Sequence, residues 1–299
     1  MTRLQANLLL LAVAAIWGFT FVLQAQAMDS VGPFWFVGLR FSVATLVVLP
    51  LAINEHRQSN AALGLKNIIG FSIIGLALFL GSIAQQVGLM STSVTNSGFL
   101  TALYVVFVPL LSLIFLKRFP HWVIWPSALS ALFGIFLLSG GHMDGMSAGD
   151  LLTVLSAVFF AVQLLLIGLL IGGCNRPMAL CLFQFAICGA AGLAVAAIWE
   201  PDQSAGMMMT RWPEIVVAGV FSSGLGFIGQ AIGQKYTTAP QAAIFLCSES
   251  LFAALAGALF LGERITVIGY VGCGFIFLAL MAVELVPELK GKRTVTANQ

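Results

Sequence analysis

The sequence predicts an all-α membrane protein, with ten transmembrane helices arranged as two inverted five-helix repeats around a central cavity. Three observations predict it. The 299 residues are 60% hydrophobic and only 8% charged, where soluble domains carry about a quarter of their residues charged. Apolar runs of the roughly 20 residues needed to cross the hydrocarbon core succeed one another at 5–27, 32–53, 66–88, 93–116, 122–140, 149–171, 177–199, 212–234, 241–261 and 265–286. Finally, Gln85-Gln86-Val87-Gly88, Thr92 and Asn96 return as Gln230-Ala231-Ile232-Gly233, Thr237 and Gln241, an offset of 145 between positions 85 and 230.

The spans are helices because lipid offers no partner to an unpaired backbone group, and these runs are too long and evenly apolar for barrel strands. Residues 1–143 form the first repeat, 144–288 the second, and 289–299 a basic tail. Phe115-Leu116 pairs with Phe260-Leu261, Arg118 with Arg264 and Pro33 with Pro177. An odd number of spans per repeat turns the second repeat over relative to the first, the arrangement by which secondary transporters build a midplane site reachable from either side.

Span one imitates a signal peptide, with Arg3 before it and Ala25-Gln26-Ala27 after it. Its apolar stretch 8–23 exceeds a typical signal core and holds Trp17-Gly18, so it is read as a retained span. Span two follows Pro33 and contains Arg40. The stretches 54–65 and 200–211 read as polar surface hairpins with no role beyond topology. Pro109 is expected to kink span four or free a carbonyl near Val105, whereas Pro240 suits the first turn of span nine. Gly168xxxGly172, Gly229xxxGly233 and Gly269, Gly272 and Gly274 allow close helix approach. Short links between spans one and two, three and four, eight and nine, and nine and ten make those neighbours antiparallel.

With the N-terminus cytoplasmic, ten of the thirteen Lys and Arg residues fall on that side, two (Arg211 and Arg264) on the other, and Arg40 within a span. That asymmetry fits the positive-inside rule, with both termini cytoplasmic in a bacterial inner (plasma) membrane. The basic tail suits lipid headgroups, and nothing points to nucleic acid. Cys174, Cys181 and Cys188 share a helical face but lack His or carboxylate companions, so they read as packing residues and not as a metal site. His56, His121 and His142 all fall in loops. No nucleophile elbow, HExxH pair, P-loop or dinucleotide fingerprint occurs. The reading is therefore a non-enzymatic carrier with no cofactor and no direct ATP drive, acting as a monomer or weak homodimer. Rival classes are a passive channel, a membrane-embedded enzyme and a structural scaffold.

Charge at membrane depth is costly, from about 2.5 kcal/mol upwards, unless it meets a cavity or a partner. Glu249, beside Ser248, reads as a substrate counter-ion or protonatable coupling group, or else as a neutral structural carboxyl. Arg40 reads as a substrate contact, or else as a structural group holding an ion pair or backbone carbonyls. Ser97, Thr101 and Tyr104 share one helical face. Their repeat mates in span nine are Ala242, Leu246 and Glu249, while Gln85 matches Gln230, Trp17 and Thr20 match Phe160 and Gln163, and Arg40 matches Gln184. One polar stripe per span, recurring in both halves, outlines a shared cavity. Its candidate solute-binding residues are Trp17, Phe21, Arg40, Gln85, Asn96, Thr101, Tyr104, Phe160, Gln163, Gln184, Gln230, Ser248 and Glu249. Phe227 and Phe245 join the aromatic lining, which suits a small amphipathic or aromatic solute.

The same residues resemble the EamA family of the drug/metabolite transporter superfamily. The first copy shows Trp17-Gly18-Phe19-Thr20-Phe21, Pro33, Leu39-Arg40-Phe41 and Gly98-Phe99-Leu100-Thr101-Ala102-Leu103-Tyr104. The second shows Gly149-Asp150, Gln184, Glu249 and Leu261-Gly262-Glu263-Arg264. Two departures stand out: Ser250 sits where family members often carry proline, and Leu116-Lys117-Arg118 lacks the Gly-Glu ending. The resemblance implies a ten-helix basket with spans five and ten at the back. It also implies alternating access by rocking of two halves, and export of small metabolites such as amino acids, with aromatic amino-acid exporters as similar proteins. A multidrug or organic-cation exporter of the same fold is the alternative it leaves open.

Overall fold

Short polar links reverse the chain after nearly every apolar run, and the result is a bundle of long helices. The computed structural model describes residues 1–59, 62–117, 119–138, 147–262 and 264–296, and of 287–296 only the backbone. Arg118, His142, Glu263 and the repeat boundary at 143/144 lie outside the described residues. The helices are α1 (Arg3–Ala27), α2 (Pro33–Gln58), α3 (Leu65–Gly88), α4 (Val94–Thr101), α5 (Tyr104–Leu116), α6 (Ile124–Leu138), α7 (Ala148–Cys174) and α8 (Pro177–Trp199). They continue with α9 (Ala205–Thr210), α10 (Trp212–Val217), a π-helical segment (Ala218–Gly226), α11 (Phe227–Gln234), α12 (Ala239–Leu246), α13 (Glu249–Phe260) and α14 (Val267–Thr296). Among the described residues, 9 helical stretches are long and apolar enough to cross a membrane, and Ile124–Leu138 is a shorter apolar helix. The expected span 122–140 is therefore described over only its 15 helical residues.

Helices α1 and α7 open with the same device. Thr2 caps α1 through a capping box with Gln5, and Ser147 caps α7 through one with Asp150. Such boxes satisfy two of the amides a helix start leaves unpaired. The start of α1 meets the end of α14, where Arg3 donates to the Val283 carbonyl and Asn7 to Glu284. This end of the bundle is the terminal face. The opposite end is the far face.

Spans four and nine are each interrupted midway, at Ala102-Leu103 and at Cys247-Ser248. The bonding is the same 145 positions apart: the amides of Val105 and Val106 reach Ala102 and Leu103, as those of Ser250 and Leu251 reach Cys247 and Ser248. These three-residue bonds tighten the helix locally. Pro109 does not make the first break, as it lies inside α5 more than a turn later. The second break has no proline. There, the Ser248 and Ser250 hydroxyls and the Cys247 thiol donate to carbonyls three residues back, competing with the helix ladder.

Helix packing obeys one exchange rule. α3 packs on α7 as the π segment and α11 pack on α1. α4 and α5 pack on α7 as α12 and α13 pack on α1, and α3 packs on α8 as the π segment packs on α2. Two pairs are their own mates, α2 with α8 and α6 with α14. In the α2–α8 pair, Gly38 and Gly192 meet so closely that a Cβ on Gly38 would fall 2.7 Å from the Leu193 amide nitrogen.

The stretches expected to be bare hairpins instead fasten that pair at both faces. Glu200, just past α8, accepts from the Phe34 and Trp35 amides at the start of α2 (3.2 and 3.1 Å). Glu55, near the end of α2, accepts from the Met178 and Ala179 amides at the start of α8 (3.1 and 2.9 Å). A carboxylate on a helix N-terminus meets both orphan donors and the positive dipole end, worth about 1 kcal/mol each. Gln203 adds bonds to Gly32 and Ser30.

The close approach of α2 and α8 sets a test. Gly38→Val should destabilise the protein by about 1–3 kcal/mol through overpacking, read as a lower unfolding temperature in detergent. Gly172→Val, where an added Cβ meets nothing within 4 Å, should leave it unchanged.

Candidate functional site

Between the two repeats lies a narrow cavity of about 50 Å³, lined by Trp17, Phe21, Gln24, Arg40, Ser82, Gln85, Thr101, Tyr104, Phe160, Gln163, Leu164, Ser222, Phe227, Gln230 and Glu249. It takes a few waters. Pockets that hold organic ligands measure about 300 Å³ or more, so a solute needs a wider state than this one.

Helix α1 supplies Trp17, Phe21 and Gln24, spaced along one face. The Trp17 indole N–H donates to the Ser222 carbonyl at 3.0 Å, and its ring lies 4.8 Å from that of Phe227. The carbonyl that receives it belongs to the π segment, whose wider winding offsets the backbone ladder. Gly226 is required here, since a Cβ on it would fall 2.4 Å from the indole nitrogen.

Tyr104 and Glu249 hold equivalent places, each opening the half-helix that follows a break: α5 and α13. Both half-helices thus direct their N-terminal, electropositive ends into the cavity. The Tyr104 hydroxyl lies beside Glu249, and neither it nor Glu249 Oε1 completes a hydrogen bond.

Arg40 is buried and donates to Gln24 Oε1 at 2.6 Å. Its guanidinium carbon sits 5.5 Å from the Phe36 ring centre and 5.0 Å from that of Phe41. Aromatic faces attract a cation that has lost its water. Its Nε has no partner. Among the described residues, the salt bridges formed are those of Arg211 with Asp29 and Glu214, so neither Arg40 nor Glu249 is in one, although both line this cavity.

A glutamine cluster forms the floor. Gln163 donates to Gln184 and to Gln230 (3.3 Å each) and accepts from Gln230 at 3.0 Å, while Gln85 donates to the Thr101 hydroxyl at 2.9 Å. The amides come from α3, α7, α8 and α11, so both repeats meet here.

Of the thirteen residues expected from sequence, ten line this cavity. Gln184 stands behind it as a partner of Gln163. Ser248 turns its hydroxyl back onto the Phe245 carbonyl, and Asn96 sits in the first turn of α4, its amide bonded to Ser93. Phe245 packs in an apolar cluster. Sequence reasoning missed Gln24, Ser82, Leu164 and Ser222. Gln24 and Ser82 carried a usable signal, being seven residues from Trp17 and three from Gln85. Ser222 carried none, because it acts through a carbonyl that the π segment exposes.

Gln163→Leu should strip Gln184 and Gln230 of their shared partner. A buried polar group left unpaired costs about 1–3 kcal/mol, so the unfolding temperature should fall.

A sequence profile of the EamA-like transporter family matches residues 4–140 and again 147–285. An uncharacterized transporter of Archaeoglobus fulgidus is 33% identical over 285 residues, covering 95% of this chain and 87% of that protein. An uncharacterized transporter of Synechocystis is 23% identical, over 97% and 92% respectively. A solved crystal structure aligns with TM-score 0.73 and 17% identity, covering 94% of this chain and 99% of that one. At that identity the likeness is one of fold.

Proposed function

The chain belongs to the EamA-like transporter family, and from that premise we propose that it is a secondary carrier exporting small zwitterionic amphipathic solutes, amino acids foremost. It is a multi-pass integral membrane protein. The observation that carries the solute reading is the pair of buried ionisable side chains that line one cavity without a salt bridge: Arg40 for a carboxylate, Glu249 for an ammonium. Buried polar atoms as a rule find partners. Here Arg40 Nε, Ser82 Oγ, Tyr104 Oη and Glu249 Oε1 all lack one around the same space. Trp17, Phe21, Phe160 and Phe227 supply the apolar wall. A pure organic-cation carrier has no use for Arg40, which favours zwitterions over that alternative.

Ten spans in two inverted repeats account for the paired breaks and the exchange rule of the packing. The α2–α8 and α6–α14 pairs join one half of the chain to the other, so the moving bodies in alternating access are not the two halves of the sequence. Arg3, Arg57, Lys66, Lys117, Arg176 and Lys235 lie toward the terminal face, against Arg211 and Arg264 at the far face. That supports a cytoplasmic terminal face in a plasma membrane.

The test is counterflow with the purified protein in liposomes, over amino acids, nucleobases and organic cations. Saturable exchange of at least one amino acid is expected, and flux without saturation or counterflow would instead indicate a channel. Glu249→Gln replaces a charge-assisted bond worth about 1.5–3 kcal/mol. Exchange should fall by about tenfold or more with thermal stability retained. Unchanged exchange in this variant would remove Glu249 from the site.

A further inference from the structure

The two faces of the bundle differ at positions that the repeat makes equivalent. At the far face, the Thr92 hydroxyl, in the link between α3 and α4, donates to Asp150 Oδ1 at 2.7 Å. Beside it Gly88 and Gly149 touch: a Cβ on Gly88 would lie 2.7 Å from the Gly149 carbonyl oxygen, and one on Gly149 would lie 2.6 Å from that of Gly88. Moving each partner by 145 positions gives the corresponding contact at the terminal face, Thr237 with Gln5. It is not made. The Thr237 hydroxyl has no partner: Gln5 serves its own cap at Thr2, whereas Asp150 serves its cap at Ser147 and holds Thr92 as well. Gly233, the mate of Gly88, leaves the nearest backbone atom of α1, the Ala6 oxygen, 3.5 Å from an added Cβ. A cavity of about 470 Å³ opens there, lined by Thr237, Gln241, Gly168 and Leu165 among others. That is within the size range of ligand pockets, and Leu165 adjoins Leu164 of the central cavity.

We infer that Thr92–Asp150, with the Gly88–Gly149 contact beneath it, is the latch that closes the far face, and that this state receives solute through the vestibule at the terminal face. Inverted repeats can exchange conformations. In the opposite state the latch parts, α3 withdraws from α7, and Thr237 closes onto the start of α1 near Gln5, filling the vestibule. Thr92 and Asp150 act on access and do not touch the solute. The inference rests on the carrier reading given above, but part of its test does not require a solute.

Two double variants of the full chain in liposomes decide it, Thr92→Cys/Asp150→Cys and Gln5→Cys/Thr237→Cys. Each is oxidised with copper-phenanthroline, and cross-links are mapped by peptide mass spectrometry so that the five native cysteines are told apart. Without solute the far-face pair should cross-link about tenfold faster than the terminal-face pair, the ratio of a resting population weighted to this state. Once cross-linked, the far-face pair should stop counterflow, and reduction should restore it. Equal cross-linking rates at the two faces would overturn the inference, as would undiminished counterflow through the cross-linked far-face pair. If the reduced protein exchanges no solute at all, the carrier reading falls while the two rates still decide which face is closed.

Discussion

The rest of the structure depends on one constraint: within hydrocarbon, every polar group must find its partner inside the protein. The backbone meets it by being helical almost throughout. The helix starts meet it with capping boxes at Thr2 and Ser147 and with the carboxylates of Glu55 and Glu200. Among the described residues, twelve buried side-chain atoms are left without a partner. Four of them, on Arg40, Ser82, Tyr104 and Glu249, gather at one cavity where the two repeats meet. A bundle held only by polar glue would pair such groups with each other.

The same constraint explains why the breaks in spans four and nine sit where they do. Interrupting a helix in lipid exposes backbone donors and acceptors, tolerable only against protein or a wet space. Both breaks lie beside the cavity and each places a cavity-lining side chain, Tyr104 or Glu249, at the start of the next half-helix. Away from the cavity the packing is rigid. α2 and α8 press glycine to glycine and cap one another at both ends, and α6 and α14 pack closely through Gly134 and Gly272. The closely packed pairs stand beside the interrupted helices.

Much of this was legible in the amino-acid sequence. Long apolar runs and the return of Gln85 as Gln230 carried the fold, because span length and repeat spacing are written directly in residue order. Arg40 and Glu249 were legible because charge is rare at depth and has few innocent explanations. What stayed hidden depends on contacts between distant segments. No local signal marks Glu55 and Glu200 as caps on each other's helices, since each is an ordinary acid near a span end. Pro109 drew attention to the wrong turn of span four; the break recurs in span nine without a proline. The π segment is likewise invisible, its glycines being equally at home in close α-helical packing, and with it the Ser222 carbonyl that anchors Trp17.

The central claim is that one cavity between two repeats opens to each side of the membrane in turn and takes up solute there. Ser82→Cys tests it most directly, placing a thiol on the cavity wall at a position that is 1% exposed. Its reaction with a membrane-impermeant maleimide is measured from each side of oriented vesicles, with and without a solute that exchanges. The account predicts labelling from both sides, slowed in each case by that solute. Labelling from one side alone, or at rates the solute does not change, would contradict it.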